Sequence, residues 1–229
     1  MKSFHYIVSF ILILFFVSNL LAQDTTLKQD STIVFGTIQN PSQQQKQADS
    51  FLSAWGVDVL ISTGGFGLGT FYRHEYTDNL SGFIDFSISE VKDDNEIELI
   101  DNLGNRFTPG KENRFLILPL YVGVQQRLFK DEILDNFRPY MAAAAGPTMI
   151  YVFPYNMEYF NAIGKGRPKY TVGGYVGLGA FFGSEHSNLV GLNIRYYFVP
   201  YTGGLESMRN VMKKEFGGFY VTLSFGSAW

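Results

Sequence analysis

Three adjacent residues late in the chain carry the groups of a nucleophile and its base: Glu185, His186 and Ser187. Nucleophilic catalysis needs a hydroxyl within hydrogen-bond reach of an imidazole that a third group orients. Neighbouring residues on a strand point to opposite faces, so three contiguous residues do not converge there. The trio is therefore interpreted as a polar turn, and catalysis by these residues is kept as the alternative.

Other common signatures of catalysis and cofactor binding are missing from the sequence. The chain has no cysteine, which excludes disulfides, thiolate metal sites and a cysteine nucleophile. His5 lies in an apolar N-terminal run and His74 stands alone, so no histidine-based metal site is expected. There is no phosphate loop or dinucleotide fingerprint, and a net charge of -3 provides no basic field for nucleic acid. We expect no cofactor and no nucleic-acid partner.

The elements that would position polar side chains are strands with two different faces. The last stretch, 219–229, alternates large apolar residues with small or polar ones, which is the period of a strand. The same alternation recurs at 55–61, 68–76, 83–90, 115–129, 171–182 and 189–198, and 140–151 is an alanine-rich strand of ambiguous phase. The apolar set of the final strand is Phe219, Val221, Leu223, Phe225 and Trp229.

The connections between these eight strands alternate in length, except that the first hairpin, at 64–67, is tight where a long connection is allowed. Those around 78–82, 130–136 and 183–188 are short, whereas those around 91–114, 152–170 and 199–218 are long. Outer-membrane barrels have short periplasmic turns and longer external loops. The sequence therefore predicts an all-β fold over residues 52–229, an eight-stranded antiparallel up-and-down transmembrane β-barrel with short periplasmic turns and three long external loops. A ten-stranded barrel that recruits the apolar island at 32–35 is the alternative.

Charged residues in the predicted inward set are balanced in sign. An eight-stranded barrel is just wide enough to be filled by its own side chains, and an unpaired buried charge is costly. The charges are therefore interpreted as a hydrogen-bonded plug, with a narrow ion path or channel as the alternative. The predicted lumen charge network consists of Asp58, Arg73, Glu75, Asp85, Arg127 and Arg195.

The N-terminus has the features of a secretory signal peptide. Lys2 precedes an apolar run over 7–17, and Ala22 is the predicted cleavage position. An uncleaved anchor helix is the alternative, although the run is short for a bilayer. Residues 23–51 are rich in Gln, Asp, Ser and Thr and are predicted to form a flexible periplasmic segment.

With these features the chain resembles small bacterial outer-membrane barrels of the OmpX and OmpA-barrel-domain type, the "outer membrane protein beta-barrel domain" branch. The run 118–123 and the aromatic C-terminus carry the resemblance. It implies a location in the bacterial outer membrane and insertion by the barrel-assembly machinery, which recognises a terminal strand ending in an aromatic residue. Phe225 and Trp229 match that assembly signal. The expected protein is a monomer in contact with outer-membrane lipids and lipopolysaccharide, with a structural or surface-interaction role and no enzymatic activity.

Lipid modification is the enzymatic alternative, since outer-membrane lipid A deacylases use His, Ser and Glu on a barrel wall. The spaced His-x-Ser pattern of those enzymes is absent from this sequence.

The long loops have different characters. The first begins with an acidic run at 92–101 and is expected to extend its hairpin beyond the barrel. The second combines aromatic residues with Lys165, Arg167 and Lys169, which are placed to meet lipopolysaccharide phosphates. In the third, Leu205, Met208, Met212 and Phe216 have helical spacing. They predict a short amphipathic helix that caps the barrel or acts as a lid.

Overall fold

The computed structural model describes residues 53–102, 104, 106–130, 133, 137–182 and 188–229. The predicted signal peptide (1–22), the N-terminal segment (23–51) and the apolar island at 32–35 lie outside the described residues. The Glu185, His186 and Ser187 trio lies outside them as well.

Twelve strands and one short helix make up the described chain. The helix contains five residues, and no helix among the described residues is long and apolar enough to cross a bilayer. The elements are β1 (Ser53–Ser62), β2 (Gly65–Glu75), β3 (Leu80–Val91), β4 (Leu99–Ile100), β5 (Arg106–Phe107), β6 (Asn113–Arg127), β7 (Phe137–Pro154), α1 (Tyr159–Ile163), β8 (Arg167–Phe182), β9 (Asn188–Phe198), β10 (Pro200–Met208), β11 (Val211–Glu215) and β12 (Gly218–Ala228).

Eight of the strands close into one antiparallel barrel in the order β1-β12-β9-β8-β7-β6-β3-β2. Closure is made by β1, in which Val57 pairs with Phe225 of β12 on one side and with Thr70 of β2 on the other. Each barrel strand lies beside its neighbours in chain order, so the predicted eight-stranded up-and-down barrel is confirmed. Because β1 already has both neighbours, the ten-stranded alternative is wrong.

Alternation along each strand sorts the side chains between the lumen and the outer surface. In β9 every second residue is buried and the residues between them are exposed. Leu192 and Ile194 face outward, while Asn193, Arg195 and Tyr197 face the lumen. The alanine-rich β7 takes the same pattern, with Tyr140, Ala144, Thr148 and Ile150 buried. Period-two alternation thus predicts the two faces of the wall correctly.

The connections define two different ends of the barrel. We call the end at which β1 begins and β12 finishes the proximal end, and the opposite end the distal end. Short connections join β2 to β3, β6 to β7 and β8 to β9 at the proximal end. The three long ones are distal and contain the β4–β5 ribbon, helix α1 and the β10–β11 hairpin.

The predicted amphipathic helix of the last long loop is wrong, because this segment forms the β10–β11 hairpin. Leu205 pairs with Lys213, and Met208 with Val211, across a two-residue turn. Asn210 in that turn has φ 64° and Gly204 in β10 has φ 60°. Positive φ angles do not occur within a right-handed helix, and Asn and Gly are the residues that tolerate them. The apolar spacing was compatible with a helix, but the backbone follows the turn residues.

Candidate functional site

The centre of the lumen holds an ion cluster built from three strands. Arg195 of β9 donates from Nη2 to Oδ2 of Asp58 on β1 at 2.8 Å. Its Nη1 lies 3.8 Å from Oδ2 of Asp85 on β3. All three residues are buried. Of the six charges predicted to line the lumen, the structure brings these three together.

Polar side chains that the charge analysis did not single out complete the central cluster. Tyr175 donates its hydroxyl to Asp85 at 2.7 Å, and Ser224 donates to the second oxygen of Asp58 at 2.6 Å. Arg195 also donates to the Tyr197 hydroxyl at 3.3 Å. These residues share the inward phase of their strands, which is the sequence signal that would have found them. With these bonds the cluster holds its charges as a network, which is the form in which buried ions are tolerated.

The other three predicted charges, Arg73, Glu75 and Arg127, lie toward the proximal end. The guanidinium carbon of Arg73 sits 4.5 Å from the centroid of the Phe181 ring, in a cation–π contact. Arg138 of β7 joins this group, and all four line one space at the proximal mouth. Sequence reasoning missed Arg138 because the predicted strand began at 140, whereas β7 begins at Phe137.

Two turns at the proximal mouth are tied together by charge. Lys130 donates from Nζ to Oδ2 of Asp78. This hydrogen bond, with the positive charge of Lys130, lowers the pKa of Asp78. The pair links the β2–β3 turn to the β6–β7 connection.

The distal mouth is closed by apolar side chains. Phe115 of β6 and Phe216 after β11 are both buried and meet edge to face, with ring centroids 5.0 Å apart. Ile117, Val199 and Leu205 belong to the same buried cluster. Below it, Tyr121 and Thr148 share a hydrogen bond of 2.9 Å. We call this group the distal seal, and it lies between the central ion cluster and the distal loops.

The distal loops form a packed cap above the seal. Ser207 of β10 donates to Oδ2 of Asp93 at 2.7 Å, and Lys111 forms an almost fully buried ion pair with Glu96. Burial disfavours the charge on Asp93, but the hydrogen bonds from Ser207 and Asn95 outweigh it and lower its pKa. The hairpin is also held by backbone hydrogen bonds, from the amide of Glu112 to the carbonyl of Ser207 and from that of Arg209 to Gly110.

Cationic and aromatic residues cluster on one side of the cap. The guanidinium of Arg114 lies over the rings of Tyr155 and Tyr159, 4.7 and 5.4 Å from their centroids. Phe160 of α1 is 81% exposed. Of the predicted phosphate-facing residues, Lys165 and Arg167 are exposed and Lys169 is half-buried.

The outer surface of the barrel is apolar between two belts of aromatic side chains. The middle of the wall is mainly aliphatic, with exposed residues such as Val57, Leu68, Ile84, Val122, Val176, Leu192 and Val221 beside the exposed Phe86. The distal belt contains exposed Phe66, Tyr170, Phe198 and Phe219. The proximal belt contains exposed Trp55, Tyr72, Tyr76, Phe129, Phe137, Phe182 and Trp229.

The predicted assembly residues lie on the closing strand. Phe225 pairs with Val57 of β1, and Trp229 exchanges two backbone hydrogen bonds with Ser53, of 2.9 and 3.0 Å. The side chain of Trp229 is exposed in the proximal belt.

One serine–histidine contact occurs near the proximal end. Ser53 Oγ lies 2.9 Å from Nδ1 of His74, and Tyr72 donates its hydroxyl to the same Oγ. The ring of His74 also meets the Tyr76 ring edge to face, with centroids 5.5 Å apart. Among the described residues, there is no group of three or more His, Cys, Asp or Glu that could hold a metal ion.

Comparison with known proteins gives structural likeness without sequence likeness. No family model matches the chain, and no curated protein matches it. The N-terminal β-barrel domain of Pseudomonas aeruginosa OprF aligns with a TM-score of 0.45 and 10% identity, over 78% of this chain and 97% of that one. Neisserial surface protein A gives 0.47 and 11%, over 78% and 94%. The outer membrane protein OprG of P. aeruginosa gives 0.44 and 12%, over 78% and 95%.

Proposed function

We propose that this chain is an integral β-barrel of the bacterial outer membrane with a structural or surface-interaction role. The observation that carries the proposal is the outer surface, where an aliphatic band lies between two aromatic belts around a closed barrel. Exposed apolar area of this extent is unfavourable in water. It matches the lipid-facing band and interfacial girdles of outer-membrane barrels.

The two ends of the barrel then have a defined orientation. Outer-membrane barrels keep short turns in the periplasm and long loops outside, which puts the proximal end in the periplasm and the cap at the cell surface. The exposed bases Lys165 and Arg167 lie at the distal side, shortly before Tyr170 of the distal belt in the chain. At that height they would meet the phosphates of lipopolysaccharide.

A structural or surface role is favoured over conduction by the interior. The distal seal is mainly apolar, and the central charges are bonded to one another. For ions to pass through the lumen, both the distal seal and the central ion cluster would have to move. Planar-bilayer recording should show no stable conductance, and steady single-channel steps would contradict a closed lumen.

The location is tested by cell fractionation combined with gel electrophoresis of unheated and boiled samples. A closed outer-membrane barrel should appear in the outer-membrane fraction and migrate differently before and after boiling. Recovery in the soluble periplasmic fraction without a shift would refute the proposal. Quantitative mass spectrometry of lipid A from cells with and without the protein tests the enzymatic alternative, and unchanged lipid A is the expected result.

A further inference from the structure

A cleft enters the lumen from the proximal end and stops at the central ion cluster. Its inner part has a cavity volume of about 30 Å³ and is bordered by Asp85 and Arg195. Its outer part also has a cavity volume of about 30 Å³ and reaches Asp78 and Asn79 in the β2–β3 turn. Four of the described residues border both parts: Arg73, Gln125, Tyr140 and Phe181.

Arg73 stands where the two parts meet and has an unmet hydrogen-bonding requirement. The residue is 5% exposed, and its Nε has no hydrogen-bond partner. One face of the guanidinium is covered by the Phe181 ring at 4.5 Å, and the residue lines both parts of the cleft. A buried donor without an acceptor is costly, so this position calls for an acceptor that enters the cleft.

The charge around the outer part favours an anion. The described residues that line it include Arg73, Arg127 and Arg138 against Glu75 and Asp78. Asp78 is itself bonded to Lys130. The lining is therefore positive on balance, and the field of the three arginines extends over the position in front of Arg73.

We propose that this cleft binds a short-chain carboxylate. The planar edge of a guanidinium matches the two oxygens of a carboxylate, which is the geometry of the strongest charge-assisted hydrogen bonds. The body of the ligand would lie against Phe71 and Phe181, in the room left by the small residues Ala142 and Gly177. The proposal goes beyond the membrane role and is tested independently of it, because binding is measured on the folded barrel in micelles.

The test is ligand-observed NMR of acetate and propionate with the purified full-length barrel. Wild-type protein should give saturable binding. Arg73→Gln should weaken it about tenfold or more, since a charge-assisted hydrogen bond is lost. Arg209→Gln is the matched control, because this arginine lies on the distal hairpin with an exposed side chain, and it should bind like wild type. Inorganic phosphate at equal ionic strength should displace propionate poorly.

A second variant covers the case in which Arg73→Gln fails to give a heat-shifted band. Ala142→Leu keeps every charge but fills the cleft, and it should abolish binding in a protein that still shows the shift. The proposal is overturned if wild type gives no saturable signal, which would mean that the cleft holds water only. Undiminished binding in both cleft variants, or equal displacement by phosphate, would also overturn it.

Discussion

Arg195 of β9 reaches Oδ2 of Asp58 on β1 at 2.8 Å although the two strands are not neighbours, because β12 lies between them. The residues are 137 positions apart. The bond therefore spans the lumen and not the wall, and it adds a link between strands that the backbone ladder does not join. It also fixes the position of the guanidinium between Asp58 and Asp85.

Breaking this pair should destabilise the barrel strongly. Asp58→Asn keeps the shape of the side chain but leaves Arg195 with Asp85 at 3.8 Å as its remaining carboxylate. Removing one partner of a buried pair costs about 3–5 kcal/mol. Urea unfolding, followed by loss of the heat-shifted band, measures the difference. Arg209→Ala removes the exposed pair with Glu112 and should change stability by about 0.5 kcal/mol or less. Equal losses of unfolding free energy in the two variants would show that the central pair stabilises the barrel no more than the exposed pair does.

A charge on the outer wall should distinguish a lipid-facing surface from a wet one. Val122 in β6 and Ile100 in β4 are similarly exposed, at 63% and 66%, but only Val122 lies in the aliphatic band. Val122→Arg should lower the free energy of unfolding in bilayers by about 2–4 kcal/mol, whereas Ile100→Arg should lower it by about 0.5 kcal/mol or less. Unfolding titrations in liposomes provide the comparison. If neither substitution changes the free energy of unfolding appreciably, Val122 faces water.

The wall could be predicted from the sequence because one physical rule governs it. Side chains alternate between the lumen and the outer surface, so polarity alone assigns Leu192 to the outer surface and Asn193 to the lumen. Alanine lacks that contrast, which is why the phase of β7 stayed ambiguous until Tyr140 and Thr148 were seen to be buried.

Partner choice inside the lumen could not be predicted in the same way. Alternation places Asp58, Arg73 and Arg195 inside, but which carboxylate meets which arginine depends on strand register and tilt around the whole barrel. The distal hairpin was wrongly predicted to be a helix for a different reason. Its apolar residues have helical spacing, and the deciding signal was the tolerance of Asn210 for φ 64° at the turn.

The cap should loosen in acid. In the folded protein the pKa of Asp93 is lowered, because hydrogen bonds from Ser207 and Asn95 outweigh the effect of burial. A group whose pKa is lowered by folding stabilises the folded state at pH values above its pKa in the unfolded chain, about 4. This stability is lost as the pH falls through the pKa of the folded state. Proteolysis of the β10–β11 hairpin should therefore accelerate below about pH 4. Asp93→Asn should be cleaved faster at neutral pH and show a weaker acid response. An acid response of the same size in that variant would assign it to other groups.

The last residue should matter more for assembly than for stability. Trp229 and Trp55 are exposed to similar extents, 59% and 55%, in the same proximal belt. Replacing either with alanine should therefore lower the free energy of unfolding by a similar amount, about 1 kcal/mol. Only Trp229 ends the closing strand and matches the predicted assembly signal. Trp229→Ala should therefore lower the amount of heat-shifted protein in the outer membrane several-fold, while Trp55→Ala lowers it little. Unfolding of both purified variants in micelles supplies the stability control. If the two variants reach the membrane equally well, Trp229 acts as an interfacial residue and carries no assembly signal.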